Sequence, residues 1–315
     1  MKFTLSWLKE HLDTTASVEE ITYALTDLGL EVEGVEDRGA KLRAFTLGFV
    51  KSAEKHPDAD RLRVCQVETD EGLQQIICGA PNARAGITVV LCKPGDYVPG
   101  IDVTLGVGKI RGVESHGMMA SERELELSDE HNGIIELASG EVGQKFTDWL
   151  ATNRPAVCDP VIEVKITPNR PDALGVRGIA RDLAAAGLGT LKPLSVPSVA
   201  GSFPCPTEIR TDDPEGCPAF YGRVIRGVKN GASPDWMQAR LKAAGQRPIS
   251  ALVDITNYVM LAHGRPSHAY DLAKLTGAVV ARRANDGETV TALNGKDFTL
   301  NADMTVIADN AGVHD

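Results

Sequence analysis

The sequence predicts a multidomain α+β chain: a helical element, an inserted small β-barrel, a second helical element and a linker, followed by a further α+β domain. Three observations predict it. The 315 residues suffice for two or three domains at roughly 100–200 residues each. Hydrophobic patterning switches from helical to strand period near residue 44 and returns to helical near residue 176. A Pro/Ser-rich stretch from Lys192 to Pro206 then sets apart everything that follows, as a linker does.

The elements follow in order. Ser17-Val18-Glu19-Glu20 is a capping box, and Val18, Ile21, Leu25 and Leu28 continue at helical spacing to Gly29, which suits a left-handed cap. Short strand-like runs come next: Phe45–Val50, Leu62–Val67, Leu73–Cys78, Ile87–Leu91 and Ile101–Leu105. Asp70-Glu71-Gly72 and Lys93-Pro94-Gly95-Asp96 supply turns between them, so the segment reads as a small barrel. Val176–Leu188 is helical, with Ile179, Leu183 and Ala186 on one face. Beyond the linker, strands Phe220–Ile225 and Val279–Arg283 alternate with two helices. One has Ser233 as N-cap, Pro234 at its first position and Gly245 at its end; the other runs from Ser250 to Ala262. Thr305–Ala308 reads as a strand.

Composition narrows the function classes. With 43% hydrophobic and 24% charged residues the chain is neither disordered, fibrous nor membrane-embedded. No apolar run approaches the roughly 18 residues of a membrane span, and charges inside MKFTLSWLKEHL argue against a secretory signal. A net charge of −10 argues against a basic surface throughout, though not against a local RNA site. The six cysteines, at 65, 78, 92, 158, 205 and 217, include no C-x-x-C pair and no zinc spacing. A reduced, cytoplasmic, zinc-free chain is expected.

The predicted barrel carries His56-Pro57-Asp58-Ala59-Asp60-Arg61-Leu62. Pro57 and the two aspartates suit a turn that delivers Arg61 and Arg63 onto a strand. Lys109 and Arg111 set two further cations beside glycines, where a phosphate backbone can approach closely. Barrels of the OB type hold oligonucleotides on such a face; the same residues also serve as ordinary turn chemistry. Residues 41–63 hold six Lys/Arg against three Asp/Glu, but 64–127 hold five against nine, so the segment is not basic overall. Together with C-G-A-P-N at 78–82 and R-G-V-E-S-H-G-M-M-A-S at 111–121, the run resembles the tRNA-binding OB domain attached to several synthetases. Met119-Ala120 stands where such domains often have Leu-Cys, a change that should alter packing only.

Outside the barrel, D-P-V-I-E-V-K-I-T-P-N-R-P-D at 159–172, followed by Gly178-Ile179-Ala180-Arg181-Asp182, resembles the N-terminal part of bacterial phenylalanyl-tRNA synthetase beta chains. In that family the barrel is an insertion in a first, discontinuous domain, which is the order read here. The resemblance covers essentially all 315 residues. It divides the chain into 1–39 plus 152–200, an OB-fold domain at 40–151, and part of an editing domain at 206–315. Read alone, Asn169–Asp172 is a turn in which Arg170 braces a carboxylate; contact between Arg170 and RNA is the alternative.

The last domain holds Gln246-Arg247-Pro248 through Met260, then Gly264-Arg265-Pro266-Ser267-His268-Ala269-Tyr270-Asp271. Thr256 and Asn257 are polar in an apolar helical run, where they cost stability unless partnered. His268 follows a Gly-x-Pro turn, and with Arg247, Thr256 and Asn257 in one cleft it could position water and stabilise an oxyanion. From spacing alone His268 reads as a structural histidine, bonded to Asp271 or backbone. The resemblance implies an editing pocket, lined by Arg247, Thr256, Asn257, Pro266 and His268, that hydrolyses tyrosine mischarged on the tRNA for phenylalanine. Its acidic residue and the magnesium site are expected beyond residue 315, so the chain reads as an N-terminal piece of a longer one.

The same resemblance implies an alpha-chain partner in a heterotetramer of two alpha and two beta chains, tRNA as ligand, and no membrane. ATP and Mg2+ serve the complete ligase, with none expected on this piece. No G-x-x-x-x-G-K-[ST] phosphate loop occurs, so the piece alone is not expected to aminoacylate. A free-standing tRNA-binding module, or a deacylase acting in trans, is the alternative.

Overall fold

The computed structural model describes residues 1–292 and 295–314, in two compact units. The first contains Met1–Lys192, Asp235–Arg247 and Leu261–Gly264; the second contains Pro193–Pro234, Pro248–Met260 and the chain from Arg265 onward. The chain is mixed α/β throughout.

In the first unit a three-stranded antiparallel sheet is ordered Lys2–Thr4, Val161–Lys165, Glu31–Glu36. Its central strand lies more than 120 residues beyond the other two in sequence. The intervening chain therefore leaves this sheet and returns to it. Helix Val18–Asp27 begins at the expected capping box: Ser17 Oγ accepts from the Glu20 amide at 3.2 Å, and Glu20 accepts from the Ser17 amide at 2.8 Å. Gly29 ends it at φ +81°, where a Cβ would be strained. Helices Leu5–His11, Val18–Asp27 and Val176–Ala185 bury Trp7, Leu8, Ile21, Leu25, Ile179 and Leu183 completely. With the buried Ala24, Val176 and Ala180, the buried positions of the second and third helices recur at three and four residues, so one helical stripe of each faces the core.

The intervening chain forms a six-stranded sheet, ordered Met118–Met119, Thr88–Cys92, Thr46–His56, Ala59–Thr69, Gly72–Cys78, with Glu136–Leu137 also on Thr88–Cys92. Strand Thr88–Cys92 is buried on both faces. Val89 and Leu91 pack with Val50, Cys65, Val67 and Ile76, whereas Val90 and Cys92 pack with Phe45, Leu47, Phe146 and Leu150. That is why it reads as an unbroken apolar run rather than an alternating one. A hairpin, Gly108–Ile110 with Val113–Ser115, reaches the opposite edge of the sheet. There the His116 amide donates to Gln75 O at 2.8 Å and the Ile77 amide to Ser115 Oγ at 3.0 Å. These bonds curl the sheet, bringing Met118–Met119 against Gly72–Cys78.

One strand expectation in this region fails. Ile101–Leu105 is instead a 3-10 turn, Pro99–Ile101, leading through Asp102 at φ +53° into a short pairing of Tyr97–Val98 with Val103–Thr104. Pro99 has no amide to donate to a ladder, and its fixed φ favours the turn.

In the second unit, Ile209–Thr211 runs parallel to Val279–Arg283, which pairs antiparallel with Thr305–Ala308. Both later strands match the sequence expectation. Phe220–Ile225 does not: among the described residues it has no ladder neighbour, and Tyr221 and Ile225 stand 86% and 71% exposed. A strand-like pattern without a partner strand has nothing to pair its backbone groups. Helix Ala251–His263 matches the expected 250–262 within a residue at each end. Helix Asp235–Ala243, which belongs to the first unit, ends near Gly245, which takes φ +78°.

Candidate functional site

The candidate nucleic-acid side chains lie at one end of the six-stranded sheet. Strands Thr46–His56 and Ala59–Thr69 are joined by the two-residue turn Pro57-Asp58. The ladder pairs His56 with Ala59 and Lys55 with Arg63, leaving Asp60, Arg61 and Leu62 as a bulge. Such an insertion bends a strand and re-aims its side chains. Arg61 and Arg63 are exposed. Lys109 and Arg111 are also exposed, on the hairpin Gly108–Ser115. Its turn residues, Arg111 and Gly112, take φ +43° and +87°, the left-handed pair that a tight hairpin needs.

His56 joins the two places. Its ring is 4% exposed. Nδ1 accepts from the Asp58 amide at 3.1 Å, so in the neutral ring Nε2 carries the hydrogen and donates to Ile110 O at 3.2 Å. All four candidate cations therefore stand on two turns tied by one imidazole. A cleft of about 620 Å³ opens beside the hairpin, lined by Ile77, Ala80, Ile110, Met118, Met119 and Ile134 among others. The sequence reading had placed His56 in a motif without giving it a task; only the fold reveals its long-range partner.

Arg170 is engaged within the protein. It bonds Asp172 at 3.0 and 2.9 Å and reaches Asp182, while Arg181 also bridges both carboxylates. The Arg170 bonds, joined by those of Arg181, hold the Asp172 carboxyl well below the usual range. The turn reading of Asn169–Asp172 holds.

The candidate hydrolytic residues are placed as follows. Thr256 and Asn257 are half-buried on helix Ala251–His263, and Thr256 Oγ1 donates to Val253 O at 2.7 Å. That bond uses the hydroxyl hydrogen and leaves its lone pairs to accept. Pro266 and His268 are exposed on the segment after Gly264, which turns at φ +68°. The His268 ring stacks on Tyr270 with centroids 6.1 Å apart and planes at 20°. Tyr270 lies 5.7 Å from His314, whose Nε2 is 3.1 Å from Asp309 Oδ2. Burial opposes ionisation of Asp309, but the amides of Thr276 and Ala311 and the His314 ring outweigh it, lowering its pKa to about 2. Asp271 caps the turn Leu272–Lys274 by accepting from the Ala273 amide at 3.1 Å. Arg247 is exposed and belongs to the first unit, whereas Thr256, Asn257, Pro266 and His268 belong to the second.

The sequence reading missed Asp254, which is 1% exposed in the same helix. Burial opposes its ionisation; a bond from Ser233 Oγ and amide bonds from Ile249 and Ser250 outweigh it and keep the carboxyl below its ordinary value. A lone acid in L-V-D-I-T-N-Y-V-M was the available signal, because a buried carboxylate needs donors. Ser233 thus spends its hydroxyl on Asp254.

Cysteines 65, 78 and 92 are buried and reduced, and burial pushes the Cys65 thiol up to about 11, far from a reactive thiolate. Among the described residues no three His, Cys, Asp or Glu side chains converge as a metal site.

Residues 45–145 match the family model described as "Putative tRNA binding domain", and residues 216–314 match the "B3/4 domain". Over 99% of its length the chain is 67% identical to a phenylalanine–tRNA ligase beta subunit of Ruegeria pomeroyi. It is 63% identical to that of Novosphingobium aromaticivorans over 100% of its length, and 58% identical to that of Mesorhizobium japonicum over 99%. The chain spans 39% of the length of each. Among solved structures, a "MetRS related protein" from Pyrococcus horikoshii aligns over 31% of this chain and 83% of its own, at 23% identity and a TM-score of 0.23, a likeness too slight to bear on the fold. Along its whole length the chain is similar in sequence to the beta subunits of phenylalanine–tRNA ligases.

Proposed function

We propose that this chain is the tRNA-handling part of a phenylalanine–tRNA ligase, contributing a tRNA-binding barrel and part of a pocket that hydrolyses tyrosine mischarged on the tRNA. The observation that carries the reading is the identity of 67% along 99% of the chain, which spans both matched domains. The six-stranded sheet, curled by the His116 and Ser115 bonds, supports an OB-fold barrel over residues 40–151. The central strand Val161–Lys165 supports a discontinuous domain of 1–39 plus 152–200, with 206–315 as the editing part. The complete ligase would pair this chain with an alpha chain, two of each, in the cytoplasm, and would take ATP and Mg2+ elsewhere.

Arg61, Arg63, Lys109 and Arg111 would meet phosphates of the tRNA, and the cleft beside Ile110 would take an unstacked base. Hydrolysis needs water delivered to the ester carbonyl and the charge on its oxygen stabilised, while the ribose hydroxyl leaves with a proton. His268 would hold the water and Thr256 and Asn257 the ester, beside Pro266. Editing is needed because an apolar pocket rejects an added hydroxyl by only ~10². A free-standing deacylase is disfavoured by the match to one beta subunit along the whole chain. Filter binding of phenylalanine-accepting tRNA against a competing DNA duplex tests the first role. Preference for tRNA supports it, and equal competition by DNA contradicts it.

A further inference from the structure

The cations of the inserted sheet fall into two groups. Lys41, Lys51, Arg84 and Lys93 each lie within 2.7 Å of a carboxylate, on Glu126, Glu68, Glu136 and Asp70 respectively, and Arg43 is 3.9 Å from Asp37. Among the described residues, Lys55, Arg61, Arg63, Lys109, Arg111, Arg123 and Lys145 make no such pair. The first five stand on or beside the two turns that His56 ties together. Lys55 and Arg63 even face each other across the ladder, an arrangement that costs stability and that a bound anion would relieve. The edge is not uniformly basic: Glu54, Asp58 and Asp60 share the first turn, and Glu114 faces Lys109. A phosphate backbone must therefore meet the cations in one register.

Building on the tRNA-binding reading above, we infer that His56 is a positioning residue that locks the two turns into a single phosphate-binding edge, to which Lys55 also belongs. The imidazole touches no phosphate. It fixes Ile110, and so its neighbours Lys109 and Arg111, against the turn that carries Lys55, Arg61 and Arg63. With the bond broken, each turn can still attract a polyanion, but the two no longer act on one strand together.

The test is a double-mutant cycle in the 315-residue chain, using a phenylalanine-accepting tRNA transcript and filter binding. Arg63→Ala, Lys109→Ala and the double variant are made with His56 and again with His56→Leu. With His56 present, the double variant's loss should differ from the product of the single losses by about threefold or more, as coupled sites do. In His56→Leu the affinity should fall about tenfold and the losses should multiply independently. His56→Gln, whose amide can still donate to Ile110 O, should bind within about twofold of the parent and keep the coupling. If His56→Leu does not fold, His56→Gln against His56→Ala carries the comparison, with melting curves on each. Unchanged coupling in a folded variant lacking the donor overturns the inference, as does a folded His56→Gln that behaves like His56→Leu. If removing Arg61, Arg63, Lys109 and Arg111 together leaves tRNA binding intact, the tRNA-binding reading itself falls.

Discussion

Replacing Lys109 and Arg111 with alanine should flatten the salt dependence of tRNA binding while leaving the fold intact. Both side chains are exposed and outside the two core clusters, so their truncation empties no packed volume. Arg111 holds its left-handed φ of +43° with a Cβ already present, so alanine there introduces no new steric demand. Counting Arg61, Arg63, Lys109 and Arg111 alone, at one phosphate each, gives a slope of about −3.6 in log K against log salt, at the duplex value of about −0.9 per contact. Raising salt from about 50 to about 200 mM should then weaken binding about 150-fold. With two contacts gone the slope falls to about −1.8, and the same change costs only about 12-fold. Filter-binding titrations at several salt concentrations measure both slopes. A double variant that binds more weakly at every salt concentration but keeps the parent slope would refute the reasoning, because neither side chain would then be displacing counterions.

Three further outcomes follow from buried groups and from the division of chemistry between chains. Asp254→Ala leaves the Ser233 hydroxyl and the Ile249 and Ser250 amides without their acceptor, and should cost about 2–4 kcal/mol in urea unfolding; a loss under about 0.5 kcal/mol contradicts this. His11 is 9% exposed, and burial first, then the charges of His263 and Arg177, lower its pKa below the ordinary 6.5. The unfolded ring therefore binds its proton at higher pH than the folded one, so stability is full above about pH 6.5 and falls as the pH drops toward the folded value. His11→Phe should melt with a shallower loss between about pH 7 and 5 than the parent, and an equal loss would exclude His11 as a source. The purified chain should catalyse no phenylalanine-dependent ATP–pyrophosphate exchange; measurable exchange would place an activating site here.

Local signals carried much of the architecture. Ser17 and Glu20 announce a helix start because both halves of the capping box lie within one turn. Thr305–Ala308 is legible because its alternation matches a half-buried sheet, and Val279–Arg283 because its apolar start is buried. Phe220–Ile225 is as rich in strand-forming residues but has no partner among the described residues, and pairing is a long-range fact that a window of six residues does not contain. The site divides in the same way. Arg61, Arg63, Lys109 and Arg111 were visible as cations beside turns, but that one imidazole ties their turns together depends on His56 meeting Ile110, 54 residues on. Asp254 was hidden by its apolar neighbours, and its donors come from Ser233 and from the chain entering the helix. Thr256 and His268 were legible as residue types; the stack of His268 on Tyr270, and of Tyr270 toward His314, was not.

The most direct test of the proposed editing role is the hydrolysis of tyrosine-charged tRNA for phenylalanine by the assembled two-chain ligase carrying His268→Ala. His268 is exposed beside Tyr270 and contributes to no core cluster, so its loss should leave the melting temperature and phenylalanine charging near the parent values. Deacylation should fall ~10²–10⁴-fold, the usual contribution of a group that positions water or moves a proton. A folded variant that deacylates at the parent rate would contradict the account.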